Sequence, residues 1–200
     1  MKKGKLIVFE GISGTGKETQ ARLLSAYLTR QKVKTQIVYH PTPDLKTVLS
    51  AWRRTRNIDW LTEVYLLLAD RSDRVRQVIR PALDRGEWVI GLRNYVSAMV
   101  YQAPDGQRQF VEREFRRFEP VPDMLVYFDI VPEKALERIL WRSQKTGEAE
   151  GKFENITDLA RKRISYQTVL KKIDHVSVDA AGSIDGVHQA LLKFIEPLLN

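Results

Sequence analysis

A glycine-rich loop between an apolar run and a helical pattern restricts the fold of this chain more than any other feature. The loop, GISGTGKE, covers residues 11–18, and the apolar run KLIVFE comes directly before it. The residues after it, TQARLLSAYLTRQ, have apolar side chains at helical spacing (Leu23, Leu24 and Leu28). A strand that turns through such a loop into a helix presents backbone N–H groups and a helix N-terminus to an anion. The order therefore predicts a strand, a phosphate-binding loop and a helix at the start of an α/β sheet.

The loop fits the pattern G-x-x-x-x-G-K-[ST] at every position but the last. Gly11, Gly16 and Lys17 match, whereas Glu18 stands where a Ser or Thr hydroxyl normally holds Mg²⁺. In this pattern the loop N–H groups cradle phosphate oxygens and the lysine reaches the terminal phosphates. The residues expected to bind ATP are Gly11, Ile12, Ser13, Gly14, Thr15, Gly16, Lys17, Glu18 and Thr19.

Further along the chain, short apolar runs alternate with helical patterns of ten or more residues. We predict four more strands in VKTQIVY, EWVIGL, MLVYFDI and HVSVDA, and a long helix from Asp59 toward Pro81. Pro132 is expected to open a helix, and Ser183 is expected to cap a last helix that reaches Leu199. Such alternation predicts an α/β fold with three layers, α/β/α, around a five-stranded parallel sheet.

The chain is predicted to form a single domain over residues 1–200, since it contains no internal repeat and no low-complexity linker. Its least structured stretch is SQKTGEAEGKFEN, residues 143–155, which is polar and flanked by basic residues. Loops of this length inside a compact domain are commonly functional lids. We therefore predict a short lid at about residues 142–156, with a plain exposed loop as the alternative.

Composition narrows the function classes without choosing one. The absence of cysteine excludes disulfides and thiolate metal sites and fits a reducing compartment. No apolar run is long enough for a signal-peptide core or a membrane span, so we expect a cytoplasmic protein that does not use a membrane. The three histidines, His40, His175 and His188, lack metal-ligand spacing and are interpreted as surface or strand-end residues.

The net charge of +8 favours anionic partners. A nucleic-acid-binding protein is one alternative, because WRRTRNIDW combines two tryptophans with three arginines. Trp52 and Trp60 are more simply interpreted as helix-packing residues around a turn, so nucleic acid is not the expected partner.

Two long segments, VFEGISGTGKETQARLL and LLLADRSDRVRQVIRPALDRGEWVI, occur in this order along the chain. They resemble the first strand, loop and helix, and the central helix and third strand, of the thymidylate kinase family. RNYVSAMVYQ resembles its substrate helix, PDMLVYFDIVPEKALERI its fourth strand and the next helix, and GKFE the end of its lid. The resemblance implies a P-loop NTPase-type fold. It also implies transfer of the γ-phosphoryl group of ATP, with Mg²⁺, to a nucleoside monophosphate, usually dTMP, by a homodimer.

The resemblance also implies roles for individual residues. Lys17, Arg93 and Arg142 are the expected catalytic residues, with Arg142 chosen as the lid arginine because the loop carries none and Lys152 as the second choice. Arg138 is expected near the adenine. The residues expected to bind the acceptor are Ser13, Arg53, Leu67, Arg71, Arg93, Ser97, Tyr101 and Gln102.

The chain departs from the family at positions around this site. Leu67 replaces a stacking phenylalanine, Ala98 stands at a base-edge position, and Ser13 replaces an acidic residue that meets the acceptor sugar. Leu92 replaces an aspartate linked to Mg²⁺, and since Glu18 supplies a new carboxylate, we hypothesise that Glu18 holds the metal. The alternative is that Glu18 is only a helix-end charge. For the whole protein, the alternatives are a kinase for another (deoxy)nucleoside monophosphate and a nucleotide-binding protein with weakened catalysis.

Overall fold

The computed structural model describes residues 3–147 and 154–199. The strands in this part are β1 (Leu6–Glu10), β2 (Thr35–Tyr39), β3 (Trp88–Leu92), β4 (Met124–Asp129) and β5 (Val176–Asp179). They form one parallel sheet in the order β2-β3-β1-β4-β5, with helices on both sides. The prediction of a three-layer α/β fold around a five-stranded parallel sheet is confirmed.

Burial along the strands agrees with their places in the sheet. Every residue of β1 and of β3 is buried, as expected for inner strands that are covered on both faces. The edge strands β2 and β5, which pair in parallel with β3 and β4, have mixed exposure. The continuous apolar runs LIVF and WVI of the sequence therefore mark the inner strands.

The helices of the described residues are α1 (Lys17–Arg30), α2 (Pro43–Thr55), α3 (Trp60–Arg74), α4 (Arg80–Asp84), α5 (Tyr95–Tyr101), α6 (Arg108–Arg116), α7 (Pro132–Thr146), α8 (Ile156–Leu170) and α9 (Ile184–Ile195). The predicted caps are confirmed. The Asp59 side chain accepts the N–H of Thr62, the Ser183 side chain accepts the N–H of Gly186, and Pro132 lies in the first turn of α7. A 3₁₀ turn, Glu196–Leu198, follows α9.

The helical chain passes Pro81 instead of stopping there. A π-helical turn, Val75–Ile79, joins α3 to α4, and α4 continues to Asp84. Proline has no N–H to donate to the carbonyl four residues earlier, so it disturbs an ordinary α-helix. The wider π turn just before Pro81 accommodates this missing hydrogen bond. The helical chain therefore ends at Asp84, three residues after Pro81.

Helix α7 extends further into the predicted loop than the sequence suggested. It ends at Thr146, and Gly147 forms a left-handed C-cap with a φ of 70°. The stretch predicted to be least structured therefore begins as the last turn of a helix. Residues 148–153 of the predicted lid, which include the second-choice residue Lys152, lie outside the described residues.

The described residues divide into two compact units. The first unit contains the residues up to Val8 and Ser25–Met124, and its core includes Val38 and Ile79. The second unit contains Phe9–Leu24 and the residues from Leu125 onward, and it has its own buried aromatic core. A single domain over residues 1–200 stays a prediction. No helix in the described ranges is both long and apolar enough to cross a membrane.

Candidate functional site

The glycine loop between β1 and α1 packs closely against other parts of the second unit. Gly11 has a φ of 141°, and a Cβ at this position would lie 2.5 Å from the carbonyl oxygen of Phe128 in β4. Gly14 has a φ of 80°, and a Cβ there would lie 2.4 Å from the carbonyl oxygen of Ala135 in α7. Any larger residue would be strained and would clash with backbone at both positions. The shape of the loop therefore requires glycine at residues 11 and 14.

The Lys17 ammonium group is bound by the loop that precedes it. Its Nζ donates to the carbonyl oxygens of Gly11 at 2.9 Å and Ile12 at 2.6 Å, and to Thr15 Oγ1 at 2.9 Å. Thr15 Oγ1 donates to the Ile12 carbonyl at 3.2 Å. The positive charge is thus held on the loop, next to the N-terminal end of α1, where an anion is stabilised. This arrangement can bind the phosphates of a nucleotide.

The remaining loop residues predicted to bind ATP differ in exposure. Gly16, Glu18 and Thr19 are exposed, Ser13 is half-buried, and Ile12 is buried. The structure places them in one loop and in the first turn of α1, and their contacts with ATP stay a prediction.

Replacing Lys17 by alanine is expected to weaken ATP binding about tenfold or more, because hydrogen bonds to charged groups contribute about 1.5–3 kcal/mol. The dissociation constant for ATP, measured by calorimetric titration, checks this. Lys193→Ala, at an exposed position of α9 in the same unit, is the matched control. An unchanged ATP affinity of the Lys17 variant would contradict the assignment of the loop.

Glu18 lies in the first turn of α1 and forms an ion pair with Arg22. The Arg22 Nη2 donates to Glu18 Oε1 at 2.5 Å, and both side chains are more than half exposed. An exposed pair of this kind contributes about 0.3–0.5 kcal/mol, so a divalent cation can displace the arginine. In residues 3–147 and 154–199, no group of three or more His, Cys, Asp or Glu side chains could hold a metal ion. The residues present fit a Mg²⁺ ion held by the one carboxylate together with phosphate oxygens and water.

Two arginines of α7, Arg138 and Arg142, make different contacts in the second unit. Arg138 donates to the carbonyl oxygens of Ala180 at 2.8 Å and Gly182 at 3.0 Å, so it holds the loop between β5 and α9. Arg142, one turn later, contacts Glu154 Oε1 at 3.4 Å, and its side chain is 45% exposed. The Glu154 side chain is only 13% exposed, whereas the more exposed Arg142 side chain can still reach solvent.

Two carboxylates at strand ends attach α8 to the strands next to the loop, and sequence reasoning missed both. Glu10, the last residue of β1, is fully buried and accepts a hydrogen bond from Tyr166 at 2.8 Å. Asp129, the last residue of β4, accepts from Arg163 Nε at 2.7 Å and Nη2 at 2.8 Å. The hydrogen bonds from Arg163 hold the pKa of Asp129 below its usual range, although burial opposes this. The sequence signal that could have identified both residues is a carboxylate at the last position of an apolar strand.

Arg93 follows β3 directly and has a left-handed backbone, with a φ of 73°. Its Nη1 donates to Ser97 Oγ at 3.0 Å, and its guanidinium carbon lies 4.9 Å from the ring centroid of Tyr101. The next residue, Asn94, caps α5 by accepting the N–H of Val96 at 2.9 Å. A positive φ is uncommon outside glycine and is found at functional sites more than elsewhere. The structure brings three of the predicted acceptor residues into one group within the first unit.

Arg53, predicted to bind the acceptor phosphate, is held by Glu63. Arg53 Nε and Nη2 donate to the two carboxylate oxygens of Glu63 at 2.7 and 2.6 Å. Gln102, another predicted acceptor residue, places its Nε2 3.5 Å from Glu63 Oε2. Sequence reasoning missed Glu63, because Arg53 and Glu63 lie on different helices and no helical spacing connects them.

Leu67 and Arg71 lie one turn apart on the same face of α3, and both are buried. Arg71 is fully buried; its Nε donates to Glu119 Oε1 at 2.6 Å, and its Nη2 contacts the same oxygen. Its Nη1 has no hydrogen-bond partner among the described residues. A buried donor without a partner is costly in a folded protein, so this position suits a ligand that offers an oxygen acceptor.

His188 departs from the interpretation of the three histidines as surface or strand-end residues, because it is buried within a helix. His188 is buried in α9, and its Nδ1 lies 3.1 Å from Gln20 Oε1, within hydrogen-bond distance. His40 follows β2 and is a strand-end residue, but it is only 5% exposed. His175 is exposed. Sequence spacing alone did not reveal the groups that surround the buried rings.

Comparison with known proteins gives consistent matches over almost the whole chain. The family model described as Thymidylate kinase matches residues 9–191. A thymidylate kinase from Akkermansia muciniphila is 36% identical over 176 residues, which cover 84% of this chain and 80% of the relative. A protein named probable thymidylate kinase from Thermococcus gammatolerans is 30% identical, with 96% of both chains covered. A thymidylate kinase from Xanthomonas campestris is 35% identical over 92% of this chain and 79% of the relative.

Proposed function

The chain belongs to the thymidylate kinase family, and from this premise we propose that it transfers the γ-phosphoryl group of ATP to dTMP, giving dTDP and ADP. The family makes the chain an ATP-dependent phosphotransferase. The observation that carries the proposal is the phosphate loop, in which Lys17 Nζ is bound by Gly11, Ile12 and Thr15. Phosphoryl transfer needs little covalent chemistry from the protein, so the site must position two polyanions and neutralise their charge.

On the donor side, the loop N–H groups and Lys17 bind the β- and γ-phosphates of ATP. The N-terminal end of α1 adds a favourable dipole for the same charge. Glu18 is the residue that would hold Mg²⁺, and the metal would neutralise negative charge on the phosphates. Arg138 and Arg142 complete this side, with Arg138 near the adenine and Arg142 on the transferred group.

On the acceptor side, Arg53 and Arg93 bind the phosphate of dTMP. A guanidinium plane that is already fixed by a carboxylate or a hydroxyl binds a phosphate oxygen with little further loss of side-chain freedom. Leu67 supplies an apolar wall for the base, and Arg71 Nη1 supplies a donor for a base carbonyl. Ser13, Ser97, Tyr101 and Gln102 complete the proposed set of acceptor contacts.

The proposal extends to assembly and location. We propose a single catalytic domain with a lid at about residues 142–156, acting as a homodimer in the cytoplasm. The family resemblance supports the dimer, and the absence of cysteine fits a reducing compartment. Light scattering at micromolar concentration tests the dimer, since a mass near twice 23.2 kDa is expected.

ADP release with Mg-ATP and each (deoxy)nucleoside monophosphate in turn tests the proposed reaction. We expect dTMP to give the highest kcat/KM. A higher value for another monophosphate would identify a different kinase. ATP binding without turnover of any acceptor would identify a nucleotide-binding protein with weakened catalysis.

Replacing Glu18 by serine is expected to raise the Mg²⁺ concentration needed for half-maximal rate several-fold, because a carboxylate is a stronger Mg²⁺ ligand than a hydroxyl. A magnesium titration of the ATP-saturated enzyme measures this. Asp185→Ser, which removes a carboxylate from the first turn of α9, is the matched control and should leave the requirement unchanged. If both variants behave like the unmodified enzyme, Glu18 is only a helix-end charge.

A further inference from the structure

His40 is a buried histidine next to residues that are expected to bind the acceptor. Its backbone N–H donates to the carbonyl oxygen of Leu92 at 3.0 Å, so it lies beside the residue that precedes Arg93. Its ring packs edge-on against Phe115, with 5.8 Å between the ring centroids. His40 therefore lies at the ends of β2 and β3, within the first unit.

The His40 ring is neutral at physiological pH. Burial, reinforced by the nearby charges of Arg71 and Arg93 and opposed by Asp70, lowers the pKa of His40 from 6.5 to about 4. A neutral imidazole has one N–H donor and one bare nitrogen that accepts. Which nitrogen carries the proton depends on the groups that face each of them.

Asp70 determines which ring nitrogen of His40 carries the proton. Its Oδ2 lies 3.4 Å from His40 Nδ1, and it also accepts hydrogen bonds from the N–H and the hydroxyl of Thr42. Burial alone would raise the pKa of Asp70, but the hydrogen bonds from His40 and Thr42 outweigh burial and lower it. An ionised carboxylate opposite Nδ1 favours the proton on Nδ1, so Nε2 is left as a hydrogen-bond acceptor.

Both ring nitrogens of His40 and both Nη atoms of Arg71 are buried without a hydrogen-bond partner among the described residues. His40 Nδ1 still lies 3.4 Å from Asp70 Oδ2, and Arg71 Nη2 contacts Glu119, so Nε2 and Nη1 are the two of these atoms without an ion-pair contact. One nitrogen accepts and the other donates. Buried polar atoms in folded proteins nearly always have a partner, so two unpartnered atoms of opposite character indicate a ligand. The charge of Arg71 acts on His40, so the two residues lie near each other, and one ligand that satisfies both presents a donor near an acceptor. The N3–H and the neighbouring carbonyl of thymine have this pattern.

A phosphate would not satisfy Nε2, because both groups are acceptors. Cytosine would place the bare N3 of its ring, also an acceptor, where thymine has N3–H. We propose that His40 is a specificity-determining residue, whose Nε2 accepts a hydrogen bond from N3–H of the acceptor base while Arg71 donates to the adjacent carbonyl. This inference rests on the proposed function, and it explains how a chain with Leu67 at the stacking position selects a thymine-type base.

The test is the ratio of kcat/KM for dTMP to kcat/KM for dCMP, in the unmodified enzyme and in His40→Phe and His40→Gln. Phenylalanine keeps an aromatic ring against Phe115 but has no acceptor nitrogen, and the glutamine side chain can return an oxygen acceptor close to the position of Nε2. Since an unsatisfied buried group costs about 1–3 kcal/mol, the ratio should fall about fivefold to 150-fold in His40→Phe and largely recover in His40→Gln. The exposed His175→Phe is the control.

Two further measurements distinguish recognition of the base by His40 from an effect on folding and from a contact with the sugar. If His40 recognises the base, the KM for ATP and the thermal midpoint of unfolding should change little in His40→Phe. If the role of His40 is purely structural, both quantities should change and the dTMP to dCMP ratio should stay the same. The decrease in kcat/KM from dTMP to 3′-deoxy-dTMP should be the same in the unmodified enzyme and in His40→Phe. If this decrease disappears in His40→Phe, the His40 ring contacts the sugar and the inference is wrong.

The outcomes also distinguish this inference from the proposed function. If the unmodified enzyme phosphorylates dTMP but the dTMP to dCMP ratio is unchanged in His40→Phe, only the inference on His40 is overturned. If the unmodified enzyme does not phosphorylate dTMP, the proposed function fails, and the assignment of N3–H fails with it.

Discussion

Replacing Arg142 by alanine should lower kcat about 10³-fold while changing ATP affinity far less, as for an arginine that acts on the transferred phosphoryl group. The loop carries no arginine of its own. Arg142 is seven residues after Ala135, whose carbonyl meets Gly14 of the loop, so both lie on one face of α7 about 10 Å apart. An arginine side chain can cover most of that distance once it leaves Glu154.

The measurement is single-turnover kinetics together with a separate ATP titration. Arg161→Ala is a suitable control, since Arg161 is an exposed arginine of α8 with an ion pair to Asp158. Equal losses in kcat and in ATP affinity would show that Arg142 only binds the nucleotide. An unchanged kcat would exclude any role in the transfer step.

Replacing Glu119 by alanine should lower the free energy of unfolding by about 3–5 kcal/mol, because it leaves the buried guanidinium of Arg71 without its counter-charge. Arg71 is fully buried, and the Glu119 side chain is only 2% exposed. Urea unfolding, with the m-value checked for a constant slope, measures this change. The control is Glu112→Ala, which removes a partly exposed pair with Arg116 and should cost less than about 1 kcal/mol.

A double variant distinguishes the effect of the unpaired charge on stability from the effect of lost packing. Arg71→Met together with Glu119→Leu should recover much of the lost stability, since apolar residues of similar volume commonly replace a buried pair without penalty. Binding of the acceptor should not recover, because the donor on Nη1 is gone. A loss of less than about 1 kcal/mol in Glu119→Ala would contradict the importance of this pair.

The sheet and the loop could be predicted from the sequence because their signals are local. The inner strands are short runs of buried apolar residues, and Gly11 and Gly14 stand where the backbone meets other chain segments too closely for a side chain. The caps at Asp59 and Ser183 were equally local, since each accepts an N–H three residues later. Such features need no knowledge of the tertiary structure.

The features that sequence reasoning missed depend on distant partners. Arg71 and Glu119 are 48 residues apart, and Glu10 and Tyr166 are 156 residues apart. Helix α6 was not predicted either, because RQFVEREFR is mostly charged and only Val111 and Phe115 are buried. The positions of Arg93 and Ser97 were expected only from the family resemblance.

The close approach of Gly14 to Ala135 fixes the position of α7 relative to the loop, and the helix then fixes the distance from the loop to Arg142. Inserting or deleting one residue between Ala135 and Arg142 would move the arginine by about 1.5 Å and turn it by about 100° around the helix axis. Chain length in this segment is therefore as restricted as residue identity. An insertion or deletion after the Gly147 cap, where the helix has ended, would leave the register of Arg142 relative to the loop unchanged.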